Sequence, residues 1–148
     1  MKKVTIYSDG SCEGNPGPGG YAAIIEKDGS RREISGAEPN TTNNRMEMEA
    51  VIQALESLAE SSQVHVVTDS QYVVLGMTRW IHAWQRKGWK TASGGSVKNR
   101  DRWEKLLEHS RRHEVSWEWI RGHSGHEENE RVDTLAKGAI ADLRVSNE

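Results

Sequence analysis

Two aspartates close short β-branched runs in this chain, Asp9 after VTIYS and Asp69 after VHVVT. If those runs are parallel neighbours in an open α/β sheet, both carboxylates emerge at one edge, where such sheets hold their sites. One aspartate there is usually a turn or a helix cap; two invite a search for a third. Glu47 supplies it. On a wheel at about 100° per residue, residues 47–60 put Met48, Val51, Ile52, Ala54, Leu55, Leu58 and Ala59 on one arc, with Glu49, Glu56 and Glu60 opposite. Glu47 falls inside the apolar arc. A carboxylate facing a core is costly unless it is paired or holds a cation. The plainer alternative is a side chain bent to solvent, or a capping role at the helix start. Asp133 is a fourth candidate, at the margin of the face formed by Val132, Leu135, Ala136, Ala139 and Ile140. By itself it reads as a surface aspartate paired with Lys137.

Clustered carboxylates repel one another and stay ionised together only when a cation neutralises them. Oxygen-only ligands suit Mg²⁺ or Mn²⁺ rather than zinc. Two such ions, about 3.5–4 Å apart, activate a water and stabilise the leaving oxygen of a phosphodiester. GHSGH (122–126) precedes the last predicted helix. His123, flanked by glycine and serine near such a site, could shuttle a proton or help release product; the plainer reading is a solvated loop.

The charge pattern points the same way. The net charge is −2, yet residues 79–105 carry eight Lys/Arg against Asp101 and Glu104, so that segment is +6 and the remainder −8. Trp80, Trp84, Trp89 and Trp103 lie in the same segment. A basic, aromatic island on an acidic protein suits a polyanion; a solvated helical face with inward tryptophans is the alternative. Acidic cluster and basic island together suggest a metal-dependent nuclease.

SDGSCEGNPGPGG (8–20) is a false lead for a nucleotide loop. Gly17–Ala22 formally fits G-x-G-x-x-G/A, but that fingerprint needs a helix N-terminus after it, and YAAII reads as a strand. Pro18 lacks an amide donor, and no Gly-Lys-Ser/Thr occurs. The glycines instead turn the chain, expose Asp9 at a strand end, and let another backbone approach.

The supporting elements follow from periodicity. Strands are predicted at 4–9, 21–29, 31–37, 64–69 and 114–120, with Asp28-Gly29 turning a hairpin. Helices are predicted at 43–60, from 70, from 79, at 100–112 and at 127–141. A hairpin followed by alternating α and β implies a mixed sheet with helices on its faces. The 148 residues suit one domain, 1–148. A single cysteine, Cys12, excludes an intramolecular disulfide. No apolar run approaches a membrane span, and no signal-peptide pattern opens the chain. A soluble, cytoplasmic protein is expected.

YSDGSCEGNPGPGGYAAI, TTNNRMEMEA, TDSQYV, WIHAWQRKGWKTA, VKN and GHSGHEENERVDTLA, in this order, resemble bacterial type 1 ribonuclease H across about residues 3–141. The resemblance implies a five-stranded mixed sheet flanked by helices on both faces. It implies an endonuclease that cuts the RNA strand of RNA–DNA hybrids with Mg²⁺ or Mn²⁺, leaving 5′-phosphate and 3′-hydroxyl ends; separately, a monomer with no obligate protein partner is expected. Asp9, Glu47, Asp69 and Asp133 match the family's metal-binding carboxylates, and His123 its mobile histidine. Gly10 and Cys12, through backbone, and Asn43, Glu47 and Gln71 match groups facing the RNA 2′-hydroxyls. Thr42 and Asn99 match the holders of a DNA phosphate, and Trp80 a contact to DNA sugars. Asn15, Asn44, Trp84 and Lys87 complete the implied substrate surface. Residues 80–99 resemble a basic handle, but SGGS (93–96) is uncharged and Gln85 interrupts the basic run, which implies weaker affinity. No extra hybrid-binding domain is expected before the first strand. An inactive hybrid-binding module and a DNA-junction nuclease are the alternatives; the four intact carboxylates speak against the first, and the handle and TTNN against the second.

Overall fold

Successive residues of the run Ala22–Ile25 feed opposite cores, as strand alternation requires. Ala23 and Ile25 pack with α1 (Asn43–Glu56) and α4 (Arg100–Arg111), whereas Ala22 and Ile24 pack with Val132 and Ala136 of α5 (Glu127–Ser146). This explains why YAAII is apolar without interruption: its strand is covered on both faces. The computed structural model describes residues 1–122 and 124–146.

The sheet comprises β1 (Lys2–Cys12), β2 (Gly17–Lys27), β3 (Ser30–Thr41), β4 (Ser62–Thr68) and β5 (Glu114–Trp119), in the order β3-β2-β1-β4-β5. β1–β2 and β2–β3 are antiparallel; β1–β4 and β4–β5 are parallel. α1 crosses one face, with α4 beside it, and α5 crosses the other. The mixed five-stranded sheet with helices on both faces is the expected fold.

Several boundaries differ from the sequence reading. β1 continues three residues past Asp9, because Asp9, Gly10, Ser11 and Cys12 keep pairing with Ala22 to Gly19 of β2. Gly17–Gly20 accordingly belong to β2, and the turn shrinks to residues 13–16. β3 runs on to Thr41, beyond the predicted end at 37. α1 stops at Glu56, where Ser57 caps it, instead of at 60.

The two helices expected from 70 and 79 form one continuous helical run: α2 (Gln71–Leu75), a π-helical turn (Gly76–Trp80) and α3 (Ile81–Arg86). The Trp103 indole lies against Gly76, where a Cβ would come within 2.0 Å of the ring. Tyr72, Trp84 and Trp103 pack ring to ring at 5.1–5.3 Å. No described helix is long and apolar enough to cross a membrane.

Candidate active site

The β1–β4 ladder ends at the pair Ser8–Thr68. Asp9 and Asp69 are the next residues of their strands, so parallel pairing carries both to one place. Asp9 is 5 % exposed, which corrects the expectation of an exposed strand-end residue. Glu47 enters from α1, also 5 % exposed. Gly10 makes its approach possible: a Cβ there would lie 2.3 Å from the Glu47 amide nitrogen. The close approach of a second backbone anticipated from the glycines therefore happens at Gly10, beside Asp9, and again at Gly20, where a Cβ would lie 2.1 Å from the Ala136 carbonyl oxygen of α5.

Carboxylate oxygens of Asp9, Glu47 and Asp69 lie within 4.8 Å of one another. Burial, the Asp69 charge and the adjacent Asp133 push the Asp9 carboxyl up to about 8, against a hydrogen bond with Glu47. Burial, then the Asp9 and Asp69 charges, raise Glu47 well above the usual carboxylate range. Glu47 Oε2 is buried with no hydrogen-bond partner. An orphaned oxygen among three crowded carboxyls is what a hard cation would satisfy, so the donor set fits a divalent metal.

Asp133 sits beside Asp9 but outside this tight trio, and Lys137 Nζ donates to its Oδ2 at 3.0 Å. The ordinary helix pairing with Lys137 and the position next to the site therefore hold together. His123 lies outside the described residues; its neighbour Gly122 packs on Asp69, a Cβ there falling 2.8 Å from Oδ2.

Beside the trio lies an open cleft of about 440 Å³, lined by Asn43, Asn44, Glu47, Asp69, Ser70, Gln71, Tyr72 and Trp119. Three residues expected at the substrate surface, Asn43, Asn44 and Gln71, thus gather around the carboxylates. Asn15 joins them, its Oδ1 accepting the Asn43 amide at 2.9 Å. Cys12 turns its thiol toward the Gly17 and Thr41 carbonyls. Thr42 caps α1, its hydroxyl accepting the Arg45 amide at 3.2 Å.

Of the four tryptophans in the basic island, Trp80 is the most exposed at 37 %, while Trp103 is fully buried. Trp84 is half-buried between Trp80, Trp89 and Trp103. Lys87 is exposed. Arg102 is not part of the free positive charge: it is buried against Glu38 and Glu49 at 2.7 and 3.1 Å. Asn99 stands at the start of α4, 54 residues from Arg45, whose Nη1 it meets at 3.0 Å.

Trp119 and Tyr72 were missed from sequence. Trp119 Nε1 donates to the Asp69 carbonyl at 2.9 Å, bracing the strand end. The alternation of SWEW marks a strand but not which face of it meets the site.

Residues 1–141 match the RNase H family. The chain belongs to the RNase H family. It is 56 % identical over 141 residues to the ribonuclease H of Pelobacter propionicus, covering 95 % of this chain and 86 % of that protein. The fold matches LC9-RNase H1, described as a type 1 RNase H with the type 2 active-site motif. The TM-score is 0.87 at 38 % identity, over 96 % of this chain and 74 % of that one. LC11-RNase H1, solved in complex with RNA/DNA hybrid, matches with a TM-score of 0.71 at 27 % identity, over 95 % and 98 %. The chain is thus an endoribonuclease of the ribonuclease H type, with an acidic trio suited to divalent metal.

Proposed function

We propose that this ribonuclease H hydrolyses the RNA strand of RNA–DNA hybrids with Mg²⁺, Mn²⁺ being a possible substitute, and leaves 5′-phosphate and 3′-hydroxyl ends. Asp9, Glu47, Asp69 and Asp133 hold two ions when substrate is bound. Residues 1–148 act as one catalytic domain, monomeric and cytoplasmic. The observation that carries this reading is the buried trio of carboxyls, with Glu47 Oε2 unpartnered, at the end of the β1–β4 ladder of an RNase H chain.

Bound cations would supply charge neutralisation, water activation and stabilisation of the leaving oxygen. The protein's part is positioning. The ladder fixes Asp9 and Asp69; Gly10 admits α1, so Glu47 reaches them. Burial and mutual crowding raise the Asp9 and Glu47 carboxyls, and a bound cation would favour their ionised forms. Ribose is told from deoxyribose by its 2′-hydroxyl. The Gly10 and Cys12 backbone and Asn43, Glu47 and Gln71 present polar groups to it, and Asn15 and Asn44 complete the surface around them. Thr42 and Asn99 hold a phosphate of the DNA strand, while Trp80, Trp84 and Lys87 complete the handle surface. His123 moves a proton or assists product release.

The test uses labelled RNA–DNA hybrid, duplex RNA and duplex DNA, with Mg²⁺ or chelator, and wild type beside Asp9→Asn. Hybrid-selective, Mg²⁺-dependent cleavage lost in Asp9→Asn is expected. Preference for duplex DNA would overturn the substrate, and undiminished cleavage by Asp9→Asn would overturn the site.

A further inference from the structure

An asparagine at a helix N-cap normally spends its side chain on the first-turn amides. Asn99 precedes α4 and makes no such bond. It also sits in the left-handed region, at φ 61° and ψ 28°, a conformation asparagine tolerates better than most residues. Its carbonyl still serves the helix, accepting the amides of Arg102 and Trp103 at 3.0 Å. The side chain is diverted elsewhere. Its Oδ1 accepts from Arg45 Nη1 at 3.0 Å, and its Nδ2 donates to the Tyr72 hydroxyl at 3.1 Å.

Arg45 is itself anchored. Its guanidinium makes a two-pronged contact with Asp101, at 3.1 and 2.9 Å, and its backbone amide is the one that Thr42 caps. A guanidinium only donates, so the Asn99 atom facing it must be the oxygen. The amide is thereby locked with one Nδ2 hydrogen toward Tyr72 and the other uncommitted. Arg45 also binds α1 to the start of α4, so Thr42 and Asn99 are spaced through one residue.

We propose that Arg45 is a positioning residue for the DNA-strand phosphate: it fixes the Asn99 amide so that the uncommitted N–H faces the phosphate oxygen, and holds Thr42 and Asn99 in register. This rests on the reading above that Thr42 and Asn99 hold that phosphate. Arg45 acts through Asn99, so its removal costs nothing once the Asn99 amide is gone.

The test is steady-state cleavage of an RNA–DNA hybrid in Mg²⁺ by Arg45→Met, Arg45→Lys, Tyr72→Phe, Asn99→Ala and the double variants Arg45→Met/Asn99→Ala and Tyr72→Phe/Asn99→Ala. A hydrogen bond to a charged group contributes about 1.5–3 kcal/mol, so Arg45→Met and Asn99→Ala should each raise KM about tenfold or more, with kcat within about twofold. Arg45→Lys, which can still donate to Oδ1, recovers part of the loss. Each double variant should match Asn99→Ala alone. Tyr72→Phe keeps the ring packing and gives a smaller KM rise, which serves if Arg45→Met does not fold. An Arg45→Met effect that multiplies with Asn99→Ala overturns the indirect role, as does an unchanged KM in folded Arg45→Met. If Arg45→Met does not fold, a Tyr72→Phe effect that persists beside Asn99→Ala, or none at all, overturns it. An unchanged KM in Asn99→Ala itself removes the phosphate reading beneath it.

Discussion

Asp9 and Asp69 each follow the last rung of one parallel ladder, the pair Ser8–Thr68. Their proximity is a property of backbone register, not of flexible side chains. β1 is still held by β2 at Asp9, through Ala22, whereas β4 ends at Thr68. Asp9 is the more buried of the two, and Asp69 is met instead by Trp119, which donates to its carbonyl, and by Gly122 against its carboxylate.

Replacing Asp9 with Asn keeps the shape and removes the charge. Hybrid cleavage should fall by at least about a hundredfold, the scale of losing metal-assisted chemistry. Calorimetric titration with Mg²⁺ should show weakened binding, while circular dichroism stays unchanged. Wild-type Mg²⁺ affinity in Asp9→Asn would remove Asp9 from the ligand set.

The raised Asp9 pKa has a sign that can be checked. Folded protein keeps this proton up to about pH 8, whereas the unfolded chain releases it near the ordinary value of 3.8. The stabilisation is complete below the unfolded value and is lost as pH rises through the folded one. In chelator, Asp9→Asn should melt with wild type at acidic pH and increasingly above it toward pH 8.5. The gap should widen steadily as pH rises, each ~1 kcal/mol moving Tm by about 2–4 °C in domains near this size. A wild type that gains on the variant as pH rises would reverse the sign.

Glu47→Gln should lose cleavage without losing stability, because it preserves volume and replaces a carboxyl whose ionisation burial and the Asp9 and Asp69 charges already oppose. Thermal melting in chelator should show Tm equal to or above wild type. A large fall would mean that Glu47 anchors the fold through its charge.

Much of this site was legible because the residues that build it are chemically expensive. A glutamate on an apolar helix face and aspartates ending two β-branched runs point to each other without knowledge of contacts. The depth of Asp9 was not legible, because nothing in SDGSC shows that β1 keeps pairing with β2 through Cys12. The Arg45–Asn99–Tyr72 group was hidden for another reason: its members are 27 to 54 residues apart, and each reads alone as an ordinary polar residue. Arg102 was misleading in the opposite direction, counted with the basic island although it faces inward.

Arg102 and Lys87 should therefore separate when each is replaced by Ala. Lys87 is exposed, and a lost phosphate contact should weaken hybrid binding at low salt and flatten the plot of log K against log salt by about 0.9. Arg102 is buried with Glu38 and Glu49, and its removal strands both carboxylates. Breaking such a pair costs about 3–5 kcal/mol, so Arg102→Ala should lower Tm strongly and leave the salt slope of the folded fraction unchanged. Urea melts and fluorescence anisotropy at several salt concentrations measure both. A reduced slope in Arg102→Ala with unaltered stability would return Arg102 to the binding surface.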